Sequence, residues 1–120
     1  MIEDAVKDLG QALGLPTLAL DQAGHLAWEG EGVTLHLQRT DAGLLVYTAV
    51  PMPDRNVEAL TRALEACHFR HGHPFALRPA LTDENELVLS GLLDEAATAA
   101  LIHQACTLLI TVAHRLSSPA

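Results

Sequence analysis

The apolar residues of this chain change their spacing along its length, and that change limits the layers it can form. Ile2, Ala5, Val6, Leu9, Ala12 and Leu13 recur every three or four positions, the spacing of one helix face. Glu3, Asp4 and Asp8 lie early in that run, and Gly14 and Pro16 follow as stop signals. From Leu18 to Val50 the period falls to two, with Leu26 and Trp28, then Val33, Leu35 and Leu37, alternating against Thr34, His36 and Gln38. The segments "DQAG", "GEG" and "DAG" separate these runs as turns. "LLVYTAV" is more continuously apolar, as expected of a strand covered on both faces. A first helix followed by a three-stranded antiparallel meander is the simplest arrangement.

"PMPD" then breaks the sheet, and Asp54 caps a second helix that carries Val57, Leu60, Leu64 and Cys67 on one stripe beside Ala59, Ala63 and Ala66. That helix ends near Phe69. "FALRPAL" and "ELVLSGL" flank the turn "TDEN" and read as a second hairpin. Asp94 opens a long last helix to about Leu116, whose apolar residues cover more than half its circumference, so it should be the helix most enclosed by the sheet. The expected order is α-β-β-β-α-β-β-α, an α+β sandwich of three helices on an antiparallel sheet. Residues 1–117 form one domain on this reading, with 118–120 as a frayed tail.

A chain of 120 residues is about one domain's worth and can bury a real core. Aromatic residues make up 3%, so the core must come from Leu, Val, Ile and Ala, and stacking platforms for single-stranded nucleic acid are scarce. A net charge of -8, with Lys7 as the sole lysine, supplies no basic stripe to neutralise phosphates. Neither nucleic acid nor an anionic membrane surface is an expected partner. Apolar runs such as "LLITVA" fall far short of the ~20 residues a spanning helix requires. The acidic start "MIEDAVKDLG" does not resemble a signal peptide, so the expected location is the cytoplasm. In that reducing compartment Cys67 and Cys106, both on apolar helix faces, read as buried free thiols.

The stretch "ACHFRHGHPF" packs Cys67, His68, His71 and His73 into seven positions and raises the question of a metal. It falls at the end of the second helix, where the macrodipole favours cationic side chains and Gly72 can supply a left-handed exit. A structural zinc wants four ligands, usually from two clusters, and no second Cys/His cluster exists. The expectation is therefore no metal, with a small metal-binding protein or metal-dependent enzyme built on these four residues as the alternative. The serines, Ser90, Ser117 and Ser118, lie outside any G-x-S-x-G elbow, and no glycine run forms a phosphate cradle. Cys67 and His68 are adjacent on a helix and point about 100° apart, which argues against a dyad. The acid pairs Glu3–Asp4, Asp83–Glu84 and Asp94–Glu95 sit at helix starts or in a turn. His25, His36, His103 and His114 are scattered over three elements and show no convergence in the sequence. No catalytic constellation and no cofactor site emerges, so the chain does not read as an enzyme.

What remains is an excess of apolar stripes in a small acidic chain, some of which could bind another chain. The order of elements, with "LGLPTLALDQAGHLAWEGEGVTLHLQRTDAGLLVYTAV", "ALTRALEACHF" and "ELVLSGLLDEAATAALIHQACTLLITVAHRL", resembles the class I type III secretion chaperones, the Tir chaperone family. The resemblance covers nearly the whole chain. It implies an acidic, non-catalytic homodimer in the bacterial cytosol, independent of ATP. Such a protein holds the N-terminal chaperone-binding segment of a cognate effector extended and secretion-competent, with the export ATPase as a further partner. The effector-binding residues expected are Val6, Leu9 and Leu13 on the first helix with Leu26, Trp28, Leu35 and Leu37 on the first two strands. The dimer is expected through Val57, Leu60, Leu64 and Cys67. A generic α+β interaction domain of the same fold, outside secretion, is the other alternative.

Overall fold

The computed structural model describes residues 2–15, 18–30, 32–51, 61, 65, 77–81 and 86–117. The acidic first turn and apolar stripe of the N-terminus give helix α1 (Ile2–Ala12), which buries Ile2, Ala5, Val6 and Leu9. Its end is closed by paired bonds: Leu15 N–H donates to the Gly10 carbonyl at 2.7 Å and Gly14 N–H to the Gln11 carbonyl at 3.2 Å. Gly14 takes a φ of 73°, the left-handed exit of a Schellman cap, as the Gly-x-Pro stop signal implied. Gly10 is needed for the return of the chain, since a Cβ there would lie 2.6 Å from the Leu15 carbonyl oxygen and 2.8 Å from Leu18 Cβ.

Five strands follow: β1 (His25–Gly30), β2 (Val33–Thr40), β3 (Gly43–Pro51), β4 (Leu77–Leu81) and β5 (Glu86–Leu93). They form one antiparallel sheet in the order β1-β2-β3-β5-β4. The meander and the second hairpin are present, joined by pairing of β3 with β5 over Leu44↔Leu93 to Pro51↔Glu86. The alternation in the sequence sorts the sheet into two faces. Leu35 and Leu37, Leu44, Val46 and Val50, and Leu87, Leu89 and Leu93 are enclosed on one side. Helix α2 (Ala99–Ser117) covers that side, with Ile102, Ala105, Cys106, Leu109, Val112 and Ala113 buried in the same cluster as the α1 stripe. Each fully buried Leu or Ile contributes roughly 1.5–3 kcal/mol. Among the described residues Thr48 is the buried polar side chain, and its hydroxyl donates to the Thr34 carbonyl at 2.7 Å, which removes the cost of burying it unpaired.

Two expectations need correction. The last helix begins at Ala99, not Asp94. Asp94 instead closes a turn, accepting from Ala96 N–H at 2.6 Å, and Thr98 caps the helix by accepting from Leu101 N–H at 3.2 Å. The strand "LLVYTAV" is covered fully on one face alone, because Leu45 and Tyr47 are half-buried and Ala49 is exposed. The second helix, with Val57, Leu60, Leu64 and Cys67, lies outside the described residues, apart from Thr61 and Glu65, which are helical. The architecture among the described residues is α+β, a five-stranded antiparallel sheet with two helices on one face.

Candidate functional site

The sheet has two edges of unequal quality. Edge strand β4 contains Pro79, which has no backbone N–H to offer a further strand. Edge strand β1 has no proline and pairs with β2 from His25↔Gln38 to Gly30↔Val33. Among the described residues β2 is its one strand partner, so the outer edge beyond His25, whose N–H and carbonyl Asp21 engages, can pair with an extended chain.

The turn "DQAG" launches this edge. Asp21 Oδ1 accepts from Ala23 N–H and His25 N–H, both at 2.9 Å, while Asp21 N–H donates to the His25 carbonyl at 2.9 Å. Gly24 takes a φ of 76°, and its carbonyl accepts from Arg39 N–H at 2.7 Å. The base of β1 is thus fixed before the strand begins.

Leu26 pairs with Leu37 and Trp28 with Leu35, so both β1 side chains lie on the helix-covered face, at its margin. They are half-buried against the core, as are Leu13, Leu18 and Leu20 from the end of α1 and the segment after it. Of the seven effector-contact residues expected from the sequence, the structure encloses four. Val6 and Leu35 are fully buried, and Leu9 and Leu37 are 2% and 0% exposed, so these four serve the core and present no surface to a partner. Leu13, Leu26 and Trp28 keep accessible surface. Leu18 and Leu20, which the expectation omitted, join them; their two-residue alternation just before "DQAG" was the signal.

Near the start of α1 an open, polar cleft of about 450 Å³ is lined by Glu3, Asp21, Arg39, Asp41 and Glu95 among others. Within it Arg39 Nη1 contacts both Glu3 carboxylate oxygens at 2.8 Å. Leu20 and the turn from Asp21 to Gly24 also line this cleft, so it adjoins the base of β1.

On the face opposite α1 and α2, His25 Nε2 lies 3.2 Å from His36 Nδ1, and the His36 ring stacks on Tyr47 with centroids 4.8 Å apart. Burial, and then the charge of His25, holds the His36 imidazole below its ordinary value. Cys106 is a free, buried thiol whose burial pushes it up to about 12. Cys67, His68, His71 and His73 lie outside the described residues. Among the described residues no three or more His, Cys, Asp or Glu side chains are grouped to hold a metal, and no helix is long and apolar enough to cross a membrane.

Solved structures share this architecture. The Yersinia pestis type III secretion chaperone SycH, in complex with a stable fragment of YscM2, is 19% identical with a TM-score of 0.81, over 98% of this chain and 100% of that chain. The ExsC–ExsE complex contains a chain 21% identical with a TM-score of 0.73, over 95% of this chain and 89% of that one. The ExoU–SpcU complex from the type III secretion system of Pseudomonas aeruginosa contains one 19% identical with a TM-score of 0.67, over 97% and 94%. At such identities the likeness speaks for the fold. A comparison with curated protein sequences gives no match. The family model for the type III secretory system chaperone SycN matches residues 1–116, and the chain belongs to that family of type III secretion chaperones.

Proposed function

We propose that this protein binds the N-terminal chaperone-binding segment of a type III effector in the bacterial cytosol and keeps it soluble and competent for export, without ATP and without covalent chemistry. The observation that carries this reading is edge strand β1, which among the described residues has β2 as its one strand partner, together with Leu13, Leu18, Leu20, Leu26 and Trp28, half-buried against the core. Strand addition along β1 would satisfy the backbone of an extended partner while its apolar side chains cover these residues. The net charge of -8 would keep a chain with such a surface soluble. Family membership and the solved chaperone complexes of the same fold support the same assignment.

The working unit is a homodimer through Val57, Leu60, Leu64 and Cys67, a stripe whose neighbouring alanines permit close helix approach, and the export ATPase is a further partner. Purification from the native bacterium in the absence of nucleotide, followed by mass spectrometry and limited proteolysis, tests the proposal. An effector should be retained by a protected N-terminal segment, and added ATP should not release it. Recovery of the protein without such a segment, or release driven by ATP, would reject it.

A further inference from the structure

The histidines that looked scattered in the sequence include one converging pair. The register of the first hairpin sets His25 opposite Gln38 and His36 opposite Ala27, so the two imidazoles are diagonal neighbours on the sheet face opposite α1 and α2. Their ring centroids are 5.4 Å apart with planes tilted by 33°, and His25 Nε2 lies 3.2 Å from His36 Nδ1. Divalent zinc binds imidazole nitrogen at 2.0–2.1 Å in a tetrahedron, whose edge between two ligands is about 3.3–3.4 Å. The nitrogens therefore already stand at a spacing that two ligands of one ion require.

We propose that His25 and His36 form a two-imidazole clip for a divalent transition metal, of the class that prefers nitrogen donors, with water in the remaining positions. Three features hold the clip open for the ion. Asp21 fixes the His25 backbone through its carboxylate and its own N–H. The stack on Tyr47, 11° from parallel, orients the His36 ring. Gln38, which stands opposite His25, has its amide nitrogen engaged with the Ala23 and Arg39 carbonyls and does not compete.

The proton inventory is simple. In the neutral pair one hydrogen lies between Nε2 of His25 and Nδ1 of His36. Binding requires both nitrogens as lone-pair donors, so that hydrogen moves to the other nitrogen of the ring that carried it. The metal-bound pair holds hydrogen on Nδ1 of His25 and Nε2 of His36, with no net proton released from the neutral state.

The experiment is a zinc chloride titration of the full chain at neutral pH, followed through the imidazole nitrogen resonances, in wild type and in the His25→Gln and His36→Gln variants. The signals of His25 and His36 should move along one saturating curve and end in those tautomers. In each variant the zinc midpoint at the surviving ring should rise at least tenfold, with backbone amide spectra confirming the fold. Zinc confined to His68, His71 and His73 would leave both rings unmoved and overturn the proposal. So would a shift at either ring that persists with an unchanged midpoint when the other is replaced.

Discussion

Arg39 and Glu3 tie the end of strand β2 to the first turn of α1, with Nη1 at 2.8 Å from each carboxylate oxygen. The side chains are 33% and 46% exposed, so water and salt screen much of the attraction. A double-mutant cycle with Glu3→Ala and Arg39→Ala should give a coupling of about 0.2–1 kcal/mol that shrinks as salt is raised. A coupling of several kcal/mol, insensitive to salt, would mean that the pair is desolvated in the working protein.

A larger penalty is expected at Gly43. Its φ is 141°, and a Cβ there would collide with the backbone carbonyl oxygen of Leu93, which the β3–β5 ladder holds in place. Gly43→Ala should therefore cost about 3 kcal/mol or more, seen as a lower denaturant midpoint. Gly14→Ala is the contrast: it shares a positive φ, of 73°, but meets nothing within 4 Å, so about 1 kcal/mol is expected from backbone strain alone. Equal losses at the two positions would show that the Leu93 carbonyl can yield.

The strands were legible because a one-sided sheet imposes a period of two, and Val33, Leu35 and Leu37 carry it cleanly. The end of α1 was legible because Gly14 and Pro16 act locally. Pairing of β3 with β5 was not, since nothing in either strand names a neighbour so distant in sequence. The start of α2 was misplaced because Asp94 and Thr98 are both good capping residues, and the turn made by Asp94 decides between them. At the candidate site, a stripe alone could not separate Leu9 and Leu35, which fill the core, from Leu13 and Trp28, which border it. The His25–His36 convergence was implicit in the "GEG" turn, which sets the hairpin register, but required that register to be worked through.

Cys106 should be inert in the folded protein. Its thiol is 1% exposed and pushed up to about 12 by burial, so little nucleophilic thiolate exists near neutral pH. Alkylation with iodoacetamide, read by peptide mapping so that Cys67 is distinguished, should modify Cys106 in step with global unfolding as denaturant is added. Modification in native buffer at the rate of a free cysteine would show that α2 opens on its own.

The final prediction separates core from groove. Leu9, at 2% exposed, has its side chain in the interior, so Leu9→Asp should unfold the chain and cannot report on partner binding. Leu26 and Trp28 lie half-buried on edge strand β1, where substitution can remove contact surface while the interior stays packed. Because Trp28 is the sole tryptophan, an effector N-terminal peptide lacking tryptophan should shift or quench its emission on binding. Leu26→Ala removes apolar contact worth roughly 1–2 kcal/mol, which corresponds to about a tenfold weaker peptide, with the thermal midpoint lowered modestly. Calorimetry of wild type and Leu26→Ala, run beside the fluorescence titration, measures both quantities. Tight binding to both proteins with no change at Trp28 would move the effector site away from β1.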